Sequence, residues 1–337
     1  MTLSIIIVSY NTKQLTLECL ESIATDLKNY QKLGLSTEII MVDNHSTDGS
    51  VTAVRDFLRK TSLRYLIIEN KNNLGFAKAN NQAIKRARGT YLLLLNSDTL
   101  VQSGALQHLV DNFTLYPIDN QTAQAAGLNG PIDRLGLVAA QLYNSDGSIQ
   151  PQGGSLPTLW SLFFHMTFLD DLPIIGQLLP STQHTGWRAR QNRDSDRNNN
   201  DEAQPKLLPQ GWVGATALLV RKRVFDEIDP FDENIFMYGE DVELCMRARH
   251  HHWDIAIDPG AHITHLGSAS SSSAKAIEGE LLAYVYIFSK HKPAWQVQIV
   301  SAIIQLGCIL RMMIFGTMGN HTAVTIYKNT IQKIRQQ

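Results

Sequence analysis

Four short stretches hold the side chains best suited to chemistry. Asp43 and Asn44 follow the apolar run Glu38 to Val42, and Asn96, Ser97 and Asp98 follow Tyr91 to Leu95. Such runs, too short to cross a membrane, read as strands buried on both faces, and the polar residues fall where each strand ends. Open α/β sheets bind ligands at that edge, where a carboxylate can ligate a hard cation and the cation a diphosphate. The same small polar residues also make turns and cap the following helix. Further on, Glu240, Asp241 and Glu243 open a helix, where acids complement the macrodipole whether or not they do anything else. Two histidines, His262 and His265, precede a glycine and a serine-rich loop, whereas His250-His251-His252 reads as a solvated helix end.

The elements that must position these residues alternate. Leu3 to Val8, Glu38 to Val42, Arg64 to Glu69 and Tyr91 to Leu95 read as strands. Residues 12–26, 51–59 and 76–88 read as helices between them, the first capped by Thr12 with Leu15, Cys19, Leu20 and Ile23 inward. This order predicts an α/β fold built from right-handed βαβ units, with a mostly parallel sheet covered by helices on both faces. Residues 116–134 read as a connection and Leu135 to Tyr143 as a strand, with Asn144 to Ser148 turning into another. Leu156 to Leu179 fits either a short helical pair or a flap, and residues 181–206, rich in charge and asparagine, fit a mobile loop. Gly211 to Val220 and Trp253 to Ile257 are expected to be strands.

Several classes are excluded or disfavoured. The first strand-to-helix turn, Ser9-Tyr10-Asn11-Thr12-Lys13, lacks the glycines of a dinucleotide fingerprint, and no Walker A loop is present. With 337 residues and 44% hydrophobic composition the chain can bury a large core. A net charge of -1 gives no case for nucleic acid as a partner. Cys19, Cys245 and Cys308 are far apart, without metal or redox spacing, so they read as reduced thiols in a cytosol-facing setting. The N-terminus opens directly on a strand-like run without a basic segment or cleavage site, so no signal peptide is expected.

Taken together, SYN at 9–11, VDNHSTDGS at 42–50, NNLGFAKANN at 72–81, LLNSDT at 94–99, WVGATALLVRK at 212–222, MYGEDVELCMRAR at 237–249 and HLG at 265–267 resemble the family 2 glycosyltransferases. Within that family the resemblance is to bacterial rhamnosyltransferases of surface-polysaccharide synthesis, over about residues 1–290. It implies a GT-A fold: a glycosyltransferase domain at 1–280, with a nucleotide-sugar half at 1–115 and an acceptor half at 135–280. It also implies an inverting sugar transfer from a UDP- or dTDP-sugar, with rhamnose the sugar suggested, to a glycan or lipid-linked acceptor. Asp43 would accept the N3–H of the base. Ser9, Asn11, Asn44, Gly75, Asn80, Asn81 and Asn96 would complete the donor pocket. Asp98 and His265 would hold a divalent metal, Mg²⁺ or Mn²⁺, against the diphosphate, although Asn96 stands where the family's Asp-x-Asp motif has its first acid. Asp241 would be the general base, and Glu240 and Trp212 would meet the acceptor. The alternative is a sugar-nucleotide-binding partner without catalysis.

The last stretch, 281–337, is a basic, apolar tail. After Glu280 the sequence holds six Lys and Arg and no acid. Ala294 to Phe315 reads as a long apolar helix with Gln298, Ser301, Gln305 and Cys308 on one side and Arg311 interrupting the run. Such a helix is expected to lie on an anionic membrane surface rather than to span it, which would make the protein peripheral on the inner face of the plasma membrane.

Overall fold

The computed structural model describes residues 2–30, 36–114, 134–172, 176, 179–182, 207–267 and 273–336. Most of the expected mobile loop, residues 183–206, and most of the 116–134 connection lie outside them. The elements are β1 (Leu3–Ser9), α1 (Lys13–Tyr30), β2 (Thr37–Asp43), α2 (Ser50–Arg59), β3 (Arg64–Glu69), α3 (Phe76–Ile84), β4 (Tyr91–Asn96), β5 (Thr99–Val101) and α4 (Ala105–Thr114). There follow β6 (Leu135–Tyr143), α5 (Leu159–Met166), a single 3₁₀ turn (Leu169–Asp171), β7 (Leu208–Pro209), β8 (Ala217–Arg221), α6 (Lys222–Ile228), α7 (Glu240–His250) and β9 (Asp254–His265). The C-terminal helices are α8 (Ser273–His291), α9 (Ala294–Thr317) and α10 (His321–Ile334).

One sheet runs β3-β2-β1-β4-β8-β6-β9-β5, with β7 beside β9. Its first four strands are parallel, as their continuous apolar runs require, because both faces are covered. On one face α1, α2 and α4 bury Leu20, Ile23 and Leu109 against β1 and β4; on the other α3, α6 and α7 bury Ala83, Phe225 and Leu244. β8 enters antiparallel between β4 and β6. The expectation of a mostly parallel α/β sheet stands, with these antiparallel additions. The expected strand at 211–220 shortens to β8: residues 211–216 leave the sheet to line the site, and the small side chains there admit close approach. The turn at 144–148 leads to a bridge between Tyr143 and Ile149 rather than a further strand.

Two register choices position the site. Leaving β4, the chain turns at Ser97-Asp98 and pairs β5 with the end of β9, Thr99 opposite His265. The Leu266 N–H then donates to the Asp98 carbonyl at 2.9 Å. A carboxylate and an imidazole 167 positions apart are thereby adjacent. The proposed division at residue 280 falls inside α8, which packs through Leu281, Tyr284 and Phe288 into a separate apolar cluster with α5, α9 and α10.

Candidate active site

Two cavities meet at the C-terminal end of β4, sharing Phe76, Asn96, Asp98, Met237 and Tyr238. The first, about 630 Å³, opens over β1 and is lined by Tyr10, Asn44, Asn73, Gly75 and Phe236. The second, about 470 Å³, opens toward α7 and α8 and is lined by Trp212, Glu240, Asp241, His265 and Glu280. Their common wall, the loop before α7, is clamped from both sides. Asn81 of α3 donates to the Phe231 carbonyl at 2.8 Å and accepts from the Phe231 N–H at 3.0 Å. From α8, Lys290 and the Tyr286 hydroxyl both donate to Asp232 Oδ2, at 2.6 and 2.8 Å. Burial works to raise the Asp232 carboxyl, but these donors and the Asn234 N–H hold it well below the usual carboxylate range. Gly75 lets the wall close: at φ +84 its Cα lies so near Phe236 that a Cβ would stand 2.5 Å from the Phe236 carbonyl oxygen.

The expected donor residues divide. Asn44, Gly75, Asn96 and Asp98 line the first cavity. Ser9, Asp43, Asn80 and Asn81 are in the lining of neither cavity. The Ser9 hydroxyl lies 3.0 Å from both the Thr12 and Thr16 hydroxyls, and Thr12 in turn meets Ser97. Asn80 donates to the Phe76 carbonyl and Asn81 holds the wall loop, because buried amides must find partners where they sit. Asn11, at positive φ, accepts the Thr47 N–H at 2.8 Å and so ties down the loop after β2 rather than lining the cavity. Asn44 does both: it lines the cavity and uses its amide on Asn70, Asn73, Leu74 and Gly75. Asp43 accepts the Ser46 N–H through Oδ2 at 2.9 Å, while its Oδ1 is buried without a partner.

At the junction, His265 Nε2 lies 3.3 Å from Asp98 Oδ1. Its Nδ1 lies 2.9 Å from Gln150 Oε1, a residue sequence reasoning missed. With that amide oxygen accepting, Nδ1 carries the hydrogen, and the Nε2 lone pair faces a carboxylate oxygen. An imidazole nitrogen beside a carboxylate oxygen is a donor set that Mn²⁺ or Mg²⁺ accepts, and a protonated imidazole would close the same contact as an ion pair. No cluster of three His, Cys, Asp or Glu able to hold a metal occurs among the described residues. Further ligands would have to come from a bound diphosphate or water. His262, the competing histidine, turns away and meets the Pro259 carbonyl and the Tyr143 ring.

In the second cavity, burial raises the Glu240 carboxyl to about 8, with the charge of Asp241 adding to it, and Glu240 Oε2 has no partner. Burial also raises Asp241, to about 6, against hydrogen bonds from the Val242 and Ala215 N–H groups and with the charge of Glu280 reinforcing it. Both carboxyls of this adjacent pair are therefore raised above the ordinary range, so the pair holds a proton more readily than free carboxylates do. The residue before α7 is Gly239, which makes no side-chain cap and whose missing Cβ admits Ala283 of α8. Glu280, accepting from the Tyr284 hydroxyl at 3.2 Å, is the second residue the sequence did not reveal. Its sole signal was its place as the last acid before the basic tail. Trp212 offers part of its ring to this cavity while its Nε1 donates to the Thr182 carbonyl at 2.6 Å.

This sheet, with a ligand edge at β4 and an antiparallel extension carrying the acids, is that of the GT-A glycosyltransferases. Solved structures of that class superpose on it: GalNAc-T7 with UDP, GalNAc and Mn²⁺ at a TM-score of 0.57 and 14% identity, over 86% of this chain and 48% of that one. The mannosyltransferase PcManGT of Pyrobaculum calidifontis, with GDP-Man and Mn²⁺, does so at 0.52 and 13%, over 98% and 84%. At such identities the likeness is one of fold. Residues 4–130 match the family described as Glycosyl transferase family 2, which bears out the resemblance read from the motifs. Among characterised relatives, the N-acetylglucosaminyl-diphospho-decaprenol L-rhamnosyltransferase of Mycobacterium tuberculosis is 26% identical over 78% of this chain and 80% of its own length. The hexosyltransferase Agl10 of Haloferax volcanii is 21% identical over 92% and 84%. These findings support sugar transfer as the class of activity.

Proposed function

We propose that the chain is an inverting, metal-assisted sugar transferase acting from a UDP- or dTDP-sugar, rhamnose by analogy with the mycobacterial relative, onto a lipid-linked glycan acceptor. The observation that carries this reading is that the two cavities meet at Asp98, with the adjacent carboxylates Glu240 and Asp241 lining the second cavity beyond that junction. The donor lies in the first cavity, its base toward the strand end that carries Asp43, whose Oδ1 has no partner within the protein. Asp98 and His265 hold the metal, which when bound neutralises charge on the departing diphosphate. Asp241 takes the proton from the acceptor hydroxyl as its oxygen bonds to the anomeric carbon and the bond to the diphosphate breaks. Protonated Glu240 donates a hydrogen bond to the acceptor, and Trp212 packs on a sugar face.

The test is a screen of sugar nucleotides with Mn²⁺ or Mg²⁺ and a soluble acceptor, with product anomeric configuration read by NMR. The expected product is inverted, and chelation or Asp241→Asn suppresses its formation. Undiminished turnover of Asp241→Asn would remove the base assignment, and a retained configuration would remove one-step displacement. Binding of donor without any turnover would favour the non-catalytic partner.

A further inference from the structure

The longest apolar helix exposes one apolar face and buries another. α9 is the one helix among the described residues long and apolar enough to cross a membrane. The sequence places Gln298, Ser301, Gln305 and Cys308 on one side, the side a surface-lying helix would turn to water. In the structure this side divides: Gln298 is exposed, Ser301 and Gln305 are half-buried with Gln305 accepting a hydrogen bond from Arg335 of α10, and Cys308 is buried in the cluster that holds Val300 and Ile304. Its outer face is Trp295, Ile299, Leu306, Ile309 and Met313, each at least 40% exposed and spaced by three, four or seven residues, so that they form one stripe about 27 Å long. Arg311, the charge that interrupts the run, is turned to the protein. It donates to the His165 and Met166 carbonyls, closing the C-terminus of α5, and lies over the Phe168 ring.

We infer that the Trp295–Met313 face of α9 beds into the surface of an anionic lipid bilayer, with the helix axis in the membrane plane. Spanning would pull α9 from α5, α8 and α10, whose shared apolar cluster includes Tyr284, a residue lining the second cavity. Of the tail's cations, Lys290, Arg311, Lys333 and Arg335 are committed to protein partners. Lys292, just before Trp295, and Lys328 of α10 are exposed. With no acid after Glu280, a second copy set against this face would bring like charges together, whereas anionic headgroups neutralise them. Trp295 at one end of the stripe suits the headgroup boundary.

The inference stands apart from the reaction and is tested apart from it, by flotation of the full chain with phosphatidylglycerol or phosphatidylcholine vesicles. The wild type is expected to float with phosphatidylglycerol, and Leu306→Glu with Met313→Glu to weaken this about tenfold or more while leaving the thermal midpoint and turnover of a soluble acceptor unchanged. Lys292→Gln should weaken binding to the anionic vesicles alone, less so in high salt. A wild type that stays with the soluble fraction, or a double variant that floats like the wild type, overturns the inference. A dimer in light scattering that the double variant dissociates, without flotation of either, assigns the face to a second copy instead.

Discussion

The asparagines near the first cavity and Glu240 at the start of α7 are buried polar groups, yet their hydrogen bonding differs. Asn44, Asn80 and Asn81 spend their amides on the chain itself, fixing the loops at 70–75 and 231–233. Glu240 leaves an oxygen unpartnered, and Asp241 is shifted upward by its burial. A satisfied amide rigidifies, while an under-satisfied acid stores a penalty that a ligand or proton can relieve. The difference teaches that the first cavity is preformed by scaffolding and that the reactive groups are concentrated in the second.

Substitutions can break this contrast. The largest effect is expected at Asp241→Asn, a loss of about 100- to 10,000-fold in turnover. Because a base must be ionised, wild-type turnover should climb as the pH rises through about 6, and this limb should disappear in any residual activity of the variant. An unchanged pH profile would place the proton acceptor elsewhere. Next is Asn81→Ala, which strands the Phe231 N–H and carbonyl and should cost about 1–3 kcal/mol in denaturant unfolding, with turnover per folded molecule much less affected. If it instead removes turnover while stability is kept, Asn81 is not scaffolding.

Gln150→Ala frees the orientation of His265 and should weaken metal affinity about 10- to 100-fold, measured by titrating Mn²⁺ into the donor-bound protein. A further effect is one of pH. Glu240 has its pKa raised from 4.5 to about 8 in the folded state, so its contribution to stability is fully present below 4.5 and is lost as pH rises through about 8. The thermal midpoint of Glu240→Gln should therefore gain on the wild type over that window, and parallel curves would mean that Glu240 is not desolvated.

Much of the fold was legible because each element carries its own signal. The apolar runs of β1, β2 and β4, with helical periodicity between them, depend on neighbours only a few residues away. The site was legible where a motif ends a strand, as at Asp98, and illegible where its partners come from afar. Gln150 and Glu280 follow no local pattern, since their roles exist only once β9 and α8 are in place. Ser9, Asn80 and Asn81 sat in the right motifs but face inward, because sequence order does not record which way a side chain leaves its strand or helix.

The sequence by itself determined the α/β alternation, the carboxylates at strand and helix ends and the resemblance that joined them. Only the tertiary structure decided that Thr99 pairs with His265, that α8 brings Glu280 beside Asp241, and that α9 leaves Trp295, Ile299, Leu306, Ile309 and Met313 exposed. The physical reason is range: periodicity and turn chemistry act within a few residues, whereas strand register and helix facing are set by which distant surfaces bury each other, and desolvation then shifts the acids enclosed between them.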